Sequence, residues 1–326
     1  MRILFVWTGV TSYMADCWRE LQRRPGVELK IVVECVESGK EFDRGRVLQA
    51  LDTCVVGDLP SDQPISRSSE QVNAWMNGWK PDVMFAVGWH SKVVRALVMK
   101  PEWADVPKVC CFDLPWRWKL RCIAAKFVLR PFLRHYAAAY VPGRACERYA
   151  KWLGFQRIHR GLFSIDQKRF GDGRRAGGRC GFMYVGRMAE EKRIDLIEAA
   201  FGRYRELGGN WSIDYYGGRN FKTPEELTQL YVEHACLVLA SAFDPWPLVV
   251  LEAKASGCEV IMSDRCGNRF ELDAHVTKFG DVEALAGKML EVEKGCRREV
   301  EDEDLSMWTS EAWAERVMEI AEGLRG

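Results

Sequence analysis

Two carboxylates flank an apolar run in the stretch Phe243–Gly257, FDPWPLVVLEAKASG. Asp244 follows a strand-like run, ACLVLAS, and Glu252 lies inside LVVLEAKAS, which stops at Gly257. The pattern predicts a helix with Pro247 in its first turn, where a missing N–H costs little, and a glycine ending it. Asp244 then sits in the loop above the strand, and Glu252 sits roughly 7–8 Å along the helix axis from Pro247. Acids so placed reach different parts of one elongated ligand. A second set of residues lies upstream in GRMAEEK. Gly186 permits a tight turn, and Arg187 and Lys192 bracket the expected start of the next helix. Helix-start N–H groups with a guanidinium and an ammonium suit a diphosphate. The same residues also fit plain structural roles: Asp244 as a helix cap, Glu252 paired to a neighbouring cation, Lys192 and Arg193 as solvated charges.

Apolar runs bounded by turns must position these groups. MRILFVW, LKIVVECV, PDVMFAVGW, VPKVCCF and AAAYVPG alternate with helical segments in the first half. After the glycine- and arginine-rich segment 171–179, the alternation restarts with CGFMYVG, WSIDYYGG, ACLVLAS and CEVIMSD. Such alternation predicts parallel sheets covered on both faces. The expected architecture is α/β, with two doubly wound domains and ligand sites at the carboxyl ends of both sheets, facing one cleft. The boundaries read as an amino-terminal domain over 1–165, a second over 166–309 with its linker near 171–179, and a carboxyl-terminal helix over 310–326.

At 48% hydrophobic and 29% charged the chain is of ordinary globular composition, which excludes a disordered or fibrous class. The net charge of +1 conceals an asymmetry: residues 1–165 hold 25 Lys and Arg against 16 Asp and Glu, so the second part is acidic. The basic part favours an anionic partner. None of the 12 cysteines forms a CxxC pair, which argues against zinc ribbons and thioredoxin-type redox motifs. With no signal-type start and no apolar run near 18 residues, reduced thiols in a cytoplasm are expected.

FMYVGRMAEEKRIDLIEAAF followed by FDPWPLVVLEAKASGCEVIMSD resembles the carboxyl-terminal domain of family-4 glycosyltransferases, also called glycosyl transferases group 1. YVPGRACERYAKWLGFQRIHRGLFSIDQKRF extends the resemblance upstream, with a Ser-Ile-Asp…Phe form of the family's Asn-Val-Asp…Phe segment, so that about residues 136–270 are covered. The amino-terminal domain resembles the family only in layout. The resemblance implies the GT-B fold of two Rossmann-like domains, with the last helix crossing back to the first. It implies a retaining enzyme that moves a sugar from a nucleotide-diphosphate sugar, UDP favoured over GDP, to a saccharide or lipid-linked acceptor. Arg187 and Lys192 correspond to the pair that holds the donor diphosphate, Glu252 to the ribose-binding acid, and Asp244 to the acid that contacts the donor sugar. Gly186, Gly217, Trp246, Leu248 and Val249 complete the implied donor site, and Arg187, Lys192 and Asp244 are the candidates for the chemistry. Front-face substitution with electrostatic stabilisation of the leaving diphosphate needs no metal and no other cofactor. The one DxD-like match, Asp302-Glu303-Asp304, reads as a solvated face.

Three departures from the family stand out. Asp replaces Glu at 244, Pro-Trp-Pro-Leu replaces Gly-Phe-Gly-Leu at 245–248, and Phe112 stands where a sugar-contacting histidine is usual, before Asp113. The prolines remove two N–H donors and stiffen the loop. These departures motivate the alternative of a non-catalytic binding protein in a GT-B shell. A nicotinamide dehydrogenase is disfavoured because neither Gly9 nor Gly186 lies in a G-x-G-x-x-G turn. A glycosidase is disfavoured because its two carboxyls must face each other across the scissile bond.

On the acceptor side, Gly9, Trp89, His90, Asp113 and Trp116 fall in loops after strands. An indole face at Trp89 suits a sugar ring, and core packing suits it as well. Arg117–Tyr136, RWKLRCIAAKFVLRPFLRHY, holds six Lys and Arg and no acid, interleaved with apolar residues. It fits an anionic membrane surface, which would place the chain at the inner face, and it also fits a core helix flanked by basic residues. Pro131 would break a single helix there. Nucleic acid is not expected, since no binding motif accompanies the charges.

Overall fold

The computed structural model describes residues 1–34, 47–56, 65–171, 179–218, 220, 222–295 and 304–325. All but the ends of the segment expected as a linker, and most of Asp302-Glu303-Asp304, lie outside the described residues. The chain divides into two compact units. One comprises Met1–Pro142, Cys146–Ser164 and Ser310–Gly326; the other comprises Gly143–Ala145 and Ile165–Thr309.

The first unit carries a seven-stranded parallel sheet of β1 (Arg2–Trp7), β2 (Glu28–Val33), β3 (Thr53–Val55), β4 (Val83–Val87), β5 (Lys108–Cys111), β6 (Ala138–Val141) and β7 (Ile158–Arg160). Their order is β3-β2-β1-β4-β5-β6-β7. Continuous apolar runs form the central strands because helices cover both faces: Ile3 to Phe5 and Val83 to Ala86 are fully buried. Phe5 stacks on Phe85, with centroids 4.9 Å apart. The last helix, Ser310–Gly323, packs on the helix Ser12–Gln22 of this unit, as expected for a chain that returns to its first domain. Trp313 anchors it, fully buried, 5.6 Å from Phe5, with its indole N–H donating to the Leu162 carbonyl at 2.8 Å.

The second unit carries a five-stranded parallel sheet of β8 (Phe182–Val185), β9 (Ile213–Tyr216), β10 (Cys236–Leu239), β11 (Glu259–Ser263) and β12 (His275–Thr277), in the order β12-β11-β10-β8-β9. The chain enters and leaves this unit side by side, because Ile165 bridges Thr309 and its N–H donates to the Trp308 carbonyl at 2.8 Å.

Nine strands were legible as apolar runs; β3, β7 and β12 were not. Each of these has three residues and lies at a sheet edge, paired on one side only. An edge strand needs no doubly buried run, so TCV, IHR and HVT carry no such signal.

Candidate functional site

The strand order of the second sheet reverses between β8 and β10, since β9 lies to one side of this pair and β11 and β12 to the other. At such a switch point the loops leaving the two strands diverge and open a crevice. Gly186 to Lys192 follow β8, and Ala240 to Pro247 follow β10, so both expected residue sets converge on one position.

Close backbone contacts fix the loop after β8. Gly186 has φ +153° and donates its N–H to the Tyr216 carbonyl. Gly217 has φ +145°, and a Cβ there would lie 1.8 Å from the Gly186 carbonyl oxygen. Only glycine permits that approach. The Tyr184 hydroxyl donates to the Arg187 carbonyl at 2.7 Å and closes the turn. Lys192 was expected at the start of the helix, but it lies in a separate 3-10 turn, Glu190–Lys192. Arg193, left-handed at φ +51°, stands between that turn and the helix Ile194–Glu206. The Ala242 N–H donates to the Glu191 carbonyl at 2.8 Å and ties this turn to the loop after β10.

The consequence is an ion pair. Lys192 Nζ lies 2.5 Å from Asp244 Oδ2, with both side chains largely buried. The backbone of Asp244 is clamped by the loop after β11: its N–H donates to the Arg265 carbonyl, and the Gly267 N–H donates to its carbonyl at 2.8 Å. Burial raises the Asp244 carboxyl above its ordinary value, opposed by the Lys192 ammonium, the Trp246 N–H and the Arg187 guanidinium. Arg187 is largely exposed and pairs with Glu191 at 3.0 Å.

The helix over the site runs Leu248–Ala255, with Pro247 just outside it at the N-cap. Proline offers no side-chain acceptor, so no cap occupies the first N–H groups, and those of Leu248 and Val249 have no intrahelical acceptor. Glu252 is partly buried one turn on and accepts a hydrogen bond from the Tyr231 hydroxyl at 2.9 Å. Burial pushes its carboxyl up to about 7, against that hydrogen bond and the charge of Arg169. Tyr231, fully buried, is held edge-on by Phe170 at 5.8 Å. The segment Ser-Ile-Asp…Phe at 164–170 thus buttresses the residue that holds Glu252.

Three expectations about tryptophans are corrected as well. Trp246 meets Asp244 through its backbone N–H, but its indole is buried, packs 5.1 Å from Trp308, and leaves so little room at Gly143 that a Cβ there would lie 2.5 Å from its ring. Prolines on both sides restrict the backbone there. Trp89 is core, packed on Phe112 at 5.3 Å and buried with it, so its face is not a sugar platform. Trp116 packs on Trp152 at 4.9 Å and on Tyr149 at 5.9 Å. Gly9, His90 and Asp113 do lie together at one sheet end, after the adjacent strands β1, β4 and β5, with His90 exposed.

Sequence reasoning missed Tyr231, Tyr184 and Gly267. A tyrosine in an amphipathic helix reads as core, and Gly267 is recognisable only once Pro245 is beside it, since a Cβ there would lie 1.7 Å from the Pro245 carbonyl oxygen.

Residues 212–302 match the family model described as glycosyl transferases group 1, a span that includes Asp244 and Glu252. The chain is a glycosyltransferase of the GT-B fold. The fold of this glycosyltransferase is shared, over 99% of its length in each case, with several solved structures. They include Anabaena HepE in complex with UDP (TM-score 0.72, 12% identity, 100% of that chain) and the lipopolysaccharide outer core galactosyltransferase WaaB in its apo form (0.69, 15%, 99%). Sucrose-phosphate synthase from Thermosynechococcus elongatus is similar at 0.68, 14% and 99%. No curated protein sequence matches the chain.

Proposed function

We propose that this glycosyltransferase transfers a sugar, with retention of configuration, from a UDP-sugar to a saccharide or lipid-linked acceptor, and that it works at an anionic membrane surface. The observation that carries the reading is the buried Lys192–Asp244 pair at the switch point of the second sheet, beside the uncapped start of the helix that bears Glu252. Lys192 spends one of its three N–H donors on Asp244 and keeps two for an anion. With Arg187 and the N–H groups of Leu248 and Val249 it receives the diphosphate. Glu252, deeper along the helix, takes the ribose hydroxyls, and Asp244, clamped and partly neutralised, takes a hydroxyl of the donor sugar. The UDP preference is supported by solved relatives of the same fold that were crystallised with UDP or are described as UDP-forming.

In the reaction the bond from the sugar C1 to the β-phosphate oxygen breaks, and a bond from the acceptor oxygen to C1 forms on the same face. The acceptor proton passes to the departing phosphate oxygen. Arg187, Lys192 and the helix N–H groups stabilise the charge that develops there, so two fixed cations supply what a metal ion would otherwise supply.

Turnover of a panel of UDP- and GDP-sugars tests the assignment, with the anomeric configuration of the product read by NMR. Arg187→Ala and Glu252→Ala are each expected to lower kcat/KM roughly tenfold or more. Unchanged turnover in both variants sinks the site, and an inverted product sinks retention.

A further inference from the structure

Of ten large apolar side chains exposed among the described residues, four lie within eleven residues of one another: Trp118, Leu120, Phe127 and Val128, between 68% and 86% exposed. Three of them lie on the helix Leu120–Val128. At 3.6 residues per turn, Leu120, Ala124, Phe127 and Val128 share one stripe, and all four are exposed. The opposite stripe, which meets the core, consists of Cys122, Ala125 and Leu129. The helix is therefore mounted with its bulkier apolar side outward, the reverse of an ordinary surface helix. A second short helix, Arg130–Leu133, follows with Pro131 near its start, and its Phe132 and Leu133 do turn into the core.

Charge says what covers this face. Lys119, Arg121, Arg130 and Arg134 are exposed around the stripe, and Arg117–Tyr136 contains no acid. An apolar stripe with an exposed tryptophan at its edge and a basic rim matches the interface of an anionic bilayer, where side chains enter the acyl boundary and cations meet the headgroups. No helix among the described residues is long and apolar enough to cross a membrane, so any lipid contact through this helix is superficial. We infer that Trp118–Val128 is a docking face that seats the chain on an anionic lipid surface through Trp118, Leu120, Phe127 and Val128. This deepens the membrane part of the reading above and is independent of the donor site.

Co-sedimentation of the full chain with vesicles tests it, using phosphatidylcholine alone and phosphatidylcholine with phosphatidylglycerol. Binding is expected only with the anionic lipid and is expected to fall with salt. Leu120→Ser/Phe127→Ser is expected to lower the partition coefficient roughly tenfold or more, and Lys119→Glu/Arg121→Glu to abolish binding. Both variants should bind UDP as the wild type does in vesicle-free buffer. Absence of binding to anionic vesicles, or binding unchanged in both variants, overturns the inference. So does a dimer in solution that Phe127→Ser dissociates, since the face would then belong to a second copy. Vesicle binding without any UDP binding would leave the docking face intact and defeat the donor-site reading instead.

Discussion

At about 7, the Glu252 carboxyl is half protonated near neutral pH, because burial raises it more than the hydrogen bond from Tyr231 and the charge of Arg169 lower it. Because the folded value lies above the unfolded one, the folded state binds the extra proton. The wild type therefore loses stability as pH rises from about 4.5 to about 7, and the full penalty remains above that. Glu252→Gln keeps an acceptor for the tyrosine and removes the titration. Denaturant melts at stepped pH should show the variant matching the wild type near the lower end. It should gain up to roughly 3 kcal/mol over the wild type at the upper end. A gap that does not change with pH would show that Glu252 is not held protonated. Tyr231→Phe removes the contact that lowers this carboxyl, so the pH midpoint for UDP binding should move upward in that variant.

At the scale of elements, the site depends on backbone approaches that side chains would block. The loop after β11 clamps Asp244 on both its N–H and its carbonyl only because residue 267 has no Cβ. Gly267→Ala must push the Pro245 carbonyl away and move Asp244 with it. The cost is expected at roughly 1–3 kcal/mol in a melt, with UDP-sugar turnover falling further than stability alone explains. The left-handed Arg193 works in the same way from the other side. It separates the 3-10 turn from its helix and carries Lys192 toward Asp244. Its guanidinium meets Asp195 through two nitrogens, with 2.7 and 2.8 Å contacts, which helps hold an unfavourable backbone conformation.

At the scale of the whole molecule, the last helix belongs to the unit in which the chain began. Trp313 fills the space beside Phe5 and satisfies its N–H on Leu162. Trp313→Ala is therefore expected to destabilise the first unit by roughly 3–5 kcal/mol, read by denaturant unfolding. UDP affinity of the second unit, measured at a temperature where the variant stays folded, should be nearly unchanged. Equal loss of both would show that the units do not unfold separately.

The residues themselves were enough for the two doubly wound sheets, because β1, β4, β8 and β10 are buried on both faces and so read as unbroken apolar runs. They also made Gly186, Arg187, Lys192, Asp244 and Glu252 candidates, since each lies near a strand end or a helix start, while the donor roles proposed for them come from the resemblance to group 1 glycosyl transferases. Partnerships across sequence distance were decided only in three dimensions. Lys192 meets Asp244 across 52 positions, and Tyr231 meets Glu252 across 21. Nor could composition say which tryptophans are free: Trp89 and Trp246 are buried while Trp118 is exposed. The helix Leu120–Val128 makes the reason plain. Apolar residues lie all around it, so periodicity fixes its stripes but not which stripe faces the core; packing against the rest of the unit decides that.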